Sequence, residues 1–157
     1  MPIIQSMTTS FKAEIMLAVH NFRAAGGNTF RLALYTSAAN IDANTTAYTV
    51  TGEVVGTNYP AGGNTLVNGG VTASNTSTSA GTGFTTFSNT TFTNATITAR
   101  GALIYNTTPS ANGTANTVLT NAAVAVIDFG SDRTSTSGDF TIIFPTATNT
   151  SAIIRIA

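Results

Sequence analysis

From Asn64 onward the chain reads as a run of short apolar and β-branched stretches, each cut off by a cluster of Ser, Thr, Asn, Gly or Pro. Those residues terminate strands because they supply turn geometry or bond to their own backbone. The spacing predicts strands over residues 65–73, 83–87, 91–99, 101–106, 118–129, 139–144 and 151–156. The predicted breaks fall at 74–83, 107–117, 130–138 and 145–150. Many short strands with turns between them pack as a sandwich or roll into a barrel. Leu103, Ile104 and Tyr105, and Val124, Val126 and Ile127, are near-continuous apolar runs, as in strands covered on both faces.

The first part of the chain has a different period. Phe11, Ile15, Ala18, Val19 and Phe22 recur at three and four, which lines one face of a helix over residues 10–24. Ser10 is placed to cap it, Glu14 suits the early part of its dipole, and Gly26-Gly27 stops it. After the glycines the period becomes two: Phe30, Leu32 and Leu34 alternate with Arg31, Ala33 and Tyr35. Residues 38–63 form a long Ala/Asn/Thr-rich excursion carrying Tyr48, Val50, Val54, Val55 and Tyr59, with a helical turn or short strand near 52–55. Loops of this length commonly carry contacts. The expected architecture is mainly β: one domain over 1–157, an antiparallel β-sandwich or partly closed barrel with one N-terminal α-helix. Residues 1–9 precede the helix and the β-rich body spans 29–157.

Charge narrows the function. Charged residues make up 8% of the chain, against roughly 25% in an average soluble domain. Six basic residues balance six acidic ones. Lys12, Arg23, Arg31, Arg100, Arg133 and Arg155 are scattered, so no basic cluster exists for phosphate or an anionic membrane. No stretch has the length of a transmembrane helix, and the first ten residues lack the pattern of a secretory signal, so release in the cytoplasm where the chain is made is expected. A neutral polar surface gives little self-repulsion and suits a subunit of an assembly.

Catalytic inventories come up short. Cysteine is absent, which removes thiol chemistry and zinc thiolate sites. His20 is the only histidine; the spacing puts it on the helix, where a packing contact is preferred to a catalytic base. Asp128-Phe129-Gly130 matches a kinase tripeptide without the glycine loop or strand lysine that give it meaning. Asp128, Asp132 and Asp139 do not follow calcium-loop spacing and read as turn caps. The only glutamates are Glu14 and Glu53, and no Trp is present to stack a sugar. No catalytic, cofactor or metal residues are therefore assigned, and the chain is expected not to be an enzyme.

Several stretches together resemble a family of small tailed-bacteriophage virion proteins. They are Ser10-Phe11-Lys12-Ala13-Glu14, Phe30-Arg31-Leu32-Ala33-Leu34-Tyr35-Thr36-Ser37-Ala38, Thr96 to Asn106, Ala125 to Asp132, and the ending Ala152-Ile153-Ile154-Arg155-Ile156-Ala157. The resemblance implies a structural virion protein on the outer capsid, a decoration or cement protein that clamps the major capsid protein and is often trimeric. The alternatives are a tail, baseplate or head-tail connector component, or a fibre module binding a host-surface ligand. Pro2, Ile3 and Ile4 are the candidate capsid-contact arm, the other reading being that Ile3 and Ile4 fold back on the core. Tyr48 and Tyr59 are the candidate loop contacts, the other reading being packing beneath the excursion.

Overall fold

The computed structural model describes residues 2–74, 81–115 and 117–157. In chain order the elements are β1 (Ser6–Met7), α1 (Thr9–Met16), β2 (Phe30–Tyr35), β3 (Asn64–Thr65) and β4 (Asn68–Ser74), then β5 (Thr82–Phe87), β6 (Thr90–Asn106), β7 (Ala122–Ile142) and β8 (Ile154–Ile156). They form two antiparallel sheets, β1-β7-β6-β2-β3 and β4-β5-β8, and neither closes into a barrel. The result is a mainly β sandwich with one N-terminal helix.

Strict alternation on β2 explains why the large sheet is buried on both faces. Phe30, Leu32 and Leu34 join Ala102, Ile104 and Val124 in the main core cluster, with Phe11 from α1, Phe87 from β5 and Ile154 from β8. Ala33 and Tyr35 face the other way and pack with Leu103, Tyr105, Ala123 and Val126. Among the described residues no second sheet lies over that face. The excursion covers it through Ala39, Ile41 and the half-buried Tyr48, and Ile3 covers it from the N-terminus.

Several expectations change. The helix ends at Met16 instead of running to residue 24, because Ala18 takes a left-handed backbone (φ 56°). Leu17 and Val19 amides then bond back to Glu14 O at 3.2 and 3.0 Å. Val19, His20 and Phe22 remain buried, but as a non-helical segment, so His20 is not on the helix. The cap is Thr8, not Ser10: its Oγ1 accepts from the Phe11 amide at 3.3 Å.

The break expected at 130–138 lies inside β7, a strand of 21 residues. Arg133, Thr134 and Ser135 pair with Ala99, Thr98 and Ile97, and Gly138 with Ala95. Thr fits a pleated strand even where the stretch looks turn-like, and bulges absorb the misfit. Positive φ at Gly130 (74°) and Ser137 (47°) marks them. Residues 91–99 and 101–106 likewise merge into β6, and 139–144 is largely absorbed by β7. Most of the break read at 74–83 lies outside the described residues. Near 52–55 the excursion makes a single β-bridge, Glu53 to Tyr35, and no helical turn.

Candidate functional site

β2 pairs with β6 along one edge, while β3 covers only Arg31 and Leu32 on the other. A strand edge left open is a template for unwanted pairing. The excursion closes it. Val54 N donates to Leu34 O (2.9 Å), Thr36 N to Gly52 O (2.9 Å) and Leu66 N to Phe30 O (2.8 Å). The Leu34 amide donates to the Tyr59 hydroxyl at 2.8 Å, so a side chain stands where a neighbouring strand's carbonyl would be.

Glu53 holds this closure together. Its Oε1 accepts from Tyr59 Oη (2.8 Å) and the Gly62 amide (2.7 Å), and its Oε2 from Tyr48 Oη (2.6 Å). Tyr105 Oη donates to Gly62 O at 2.7 Å, and its ring stacks on Tyr48 with centroids 4.7 Å apart. Tyr35 Oη donates to Thr49 O at 2.6 Å, and Arg31 Nη2 to Gly63 O at 2.6 Å. Three of the four tyrosines of the chain thus meet on one carboxylate and the turn beside it, and the fourth, Tyr35, ties Thr49 of the same excursion. The turn needs Gly63, which has φ +72°; a Cβ there would lie 1.7 Å from Leu32 O.

Burial, the largest cause in each case, pushes all four phenols above their ordinary value near 10. Hydrogen bonding to Glu53 adds to it for Tyr48 and Tyr59. The phenols therefore act as neutral donors, charge-assisted where they meet Glu53. The hydroxyls of Tyr48 and Tyr59 both point inward to Glu53, and the Tyr59 ring packs on Phe92 at 5.1 Å. Sequence reasoning found these two tyrosines but not Glu53, Arg31, Tyr35 or Tyr105 as their partners. The available signal was that Arg31 and Tyr35 share the side of β2 opposite the leucines.

The N-terminal segment is not a free arm. Ile3 is buried in the second cluster, and its methyl groups lie within about 3 Å of where a Cβ on Gly101 would sit. Ile4 donates its amide to Ile41 O at 3.0 Å while its side chain stays exposed, as does Pro2. The fold-back alternative describes Ile3.

A second polar cluster joins α1 to the end of β6. Glu14 and His20 are both buried, with Nε2 2.7 Å from Oε2. Glu14 Oε1 accepts from the Val118 amide at 3.0 Å, and Asn106 Nδ2 lies 3.0 Å from His20 Nδ1. Burial pushes the imidazole below 6.5, against the opposing hydrogen bond and charge of Glu14. The pair ties helix, post-helix segment and the loop before β7 into one unit. Asp128 caps the Gly130 amide (2.8 Å), Asp139 the Asn94 amide (3.1 Å), and Asp132 pairs with Arg100 (2.8 Å). Among the described residues no three acidic or histidine side chains group as metal ligands.

Compared with protein families, characterised proteins and solved structures, the chain matches none.

Proposed function

We propose that this chain is a non-enzymatic structural protein of a phage particle, a decoration or cement protein that binds and stabilises the major capsid lattice. The observation that carries the reading is the outer surface of the β6–β7 ribbon. Thr91, Thr93, Thr96 and Thr98 on β6 and Thr134, Thr136 and Thr141 on β7 are all exposed. Thr91 and Thr141 hydroxyls lie 2.9 Å apart, and those of Thr98 and Thr134 2.8 Å. Strands of 17 and 21 residues, rooted in the core, hold these hydroxyls in place. Such a surface offers neutral donors and acceptors at fixed spacing, and the charges among them, Arg100, Asp132, Arg133 and Asp139, balance in sign. It suits a partner that is itself a rigid, repeating protein surface: the major capsid protein or another virion protein.

The internal use of the polar side chains supports the same reading. Glu14, His20, Glu53 and the tyrosines are bonded to one another or to backbone, where they fix the scaffold that carries the ribbon. Antibody-gold labelling of intact particles, viewed by electron microscopy, tests the proposal. Gold spread over the head is expected. Gold confined to the tail transfers the protein to a tail, baseplate or connector role, and unlabelled particles end the virion reading.

A further inference from the structure

Asn-Gly occurs twice in the chain, at Asn68-Gly69 and at Asn112-Gly113. This dipeptide carries its own chemistry. Without a side chain, glycine lets its amide nitrogen reach the side-chain carbonyl carbon of the preceding asparagine, an approach that a Cβ hinders. Asparagine is for this reason among the thermolabile residues. The fold treats the two occurrences differently.

Asn68 is held. It opens β4 opposite Phe87 of β5, and its Nδ2 donates to Arg23 O at 3.1 Å and to Asn28 O at 3.0 Å. Its Oδ1 is buried with no donor among the described residues, so nothing there stabilises negative charge developing on that oxygen. Asn112 is exposed in the loop before β7, and neither its side chain nor the Gly113 amide has a hydrogen bond among the described residues. The loop is tied on both sides of it. The Ser110 amide donates to Val19 O at 2.8 Å, and the Val118 amide to Glu14 Oε1 at 3.0 Å. The turn between those ties can change its backbone without drawing on the core.

We propose that Asn112 is a site of spontaneous covalent modification, converted to isoaspartate and aspartate while Asn68 stays intact. The Gly113 nitrogen attacks Asn112 Cγ, and the new C–N bond closes a cyclic imide. The bond from Cγ to Nδ2 breaks, and the side-chain NH2 leaves as ammonia with the proton from the Gly113 amide. Water then adds to one of the imide carbonyls and opens the ring. Opening at the main-chain carbonyl gives isoaspartate, and opening at Cγ gives aspartate. No oxidant or reductant takes part, and water is the only co-reactant. Either product replaces a neutral amide by a carboxylate, so a chain of formal net charge zero becomes negative. Isoaspartate also lengthens the main chain by one carbon, which the exposed turn between Ser110 and Val118 takes up. None of this depends on whether the protein belongs to a virion.

The folded full chain, kept in warm, mildly alkaline buffer, tests the proposal by ion-exchange separation and peptide mass spectrometry. A more acidic form is expected to accumulate, heavier by about 1 Da in the peptide that holds Asn112. Asn112 should convert at least about tenfold faster than Asn68, whose amide must first leave two hydrogen bonds. In strong urea the two rates should draw level, because the neighbours that hold Asn68 are gone. Asn112→Gln, whose longer side chain closes the ring poorly, should lose the acidic form and keep the wild-type circular dichroism. An Asn112 that stays intact in the folded chain overturns the proposal. So does an Asn68 that converts as fast as Asn112 there, or an acidic form that persists in Asn112→Gln.

Discussion

His20 holds one proton in the folded chain, and its neighbours decide where. Asn106 Oδ1 accepts from the Thr108 amide at 3.0 Å, which turns its Nδ2 toward His20 Nδ1. Nδ1 is then the acceptor, and Nε2–H donates to Glu14. A second proton would set a donor against the Asn106 donor, in a site whose burial already pushes the imidazole below 6.5. The unfolded chain takes up that proton near 6.5 and the folded chain only at lower pH. The His20 contribution is therefore complete above 6.5 and falls away as pH drops from there. Thermal melts at about pH 7.5 and about pH 5.5 should show a larger loss for the wild type than for His20→Gln, which has no proton to gain. Equal losses would mean that the imidazole is not held neutral. The tyrosines give a comparison of the same kind. Tyr59→Phe removes a donor to Glu53 and strands the Leu34 amide, so a cost of about 1–3 kcal/mol is expected. Tyr48→Phe removes one bond from a half-buried ring and should cost about 1 kcal/mol. Urea titration ranks them, and faster exchange of the Leu34 amide in Tyr59→Phe alone would confirm the route.

At the scale of elements, what the sequence disclosed depends on whether a signal is local. The alternation of Phe30, Leu32 and Leu34 and the apolar run at Leu103 to Tyr105 are local, and they appear as β2 and the last stretch of β6. The end of α1 is not local. Residues 14 and 20 would stand roughly 120° apart around a continuous helix and more than a turn and a half along it, and only the closing turn at Ala18 lets Glu14 meet His20. The path of β7 through Gly130 to Gly138 depends on β6 lying alongside, which a turn-rich stretch does not advertise. Glu53 was hidden for the same reason, since its partners Tyr48, Tyr59 and Gly62 meet only once the excursion returns. The N-terminal segment shows the cost of such long-range fit. Gly101 leaves the space that Ile3 fills, and a Cβ there would come 2.4 Å from Ile127 O as well as 2.9 Å from Ile3 Cγ2. Ile3→Ala should lower stability by about 2–4 kcal/mol through the cavity it leaves. Gly101→Ala should cost at least about 2 kcal/mol, because backbone must move. Denaturant midpoints check both, and a neutral Ile3→Ala would return the segment to the status of a loose arm.

For the molecule as a whole, the shortage of charge sets what solvent conditions can do. Arg100–Asp132 is an ion pair with both side chains well exposed, and the Glu14–His20 contact is sealed from salt by burial. With a net charge of zero there is little long-range field to screen. Threonine hydroxyls on the ribbon and exposed apolar side chains such as Val55 and Ile143 respond to salt through hydration and not through screening. Chloride and sulfate at matched ionic strength separate those two effects. Raising sodium chloride from about 0.05 M to about 0.5 M shortens the Debye length from roughly 14 Å to roughly 4 Å, yet neither the melting temperature nor retention on the proposed phage particle should move appreciably. Sulfate at the same ionic strength should raise both, since it is excluded from surface and favours burial. Release of the protein by sodium chloride alone would show that charged contacts dominate its attachment, and a neutral hydroxyl and apolar interface could not then be what holds it.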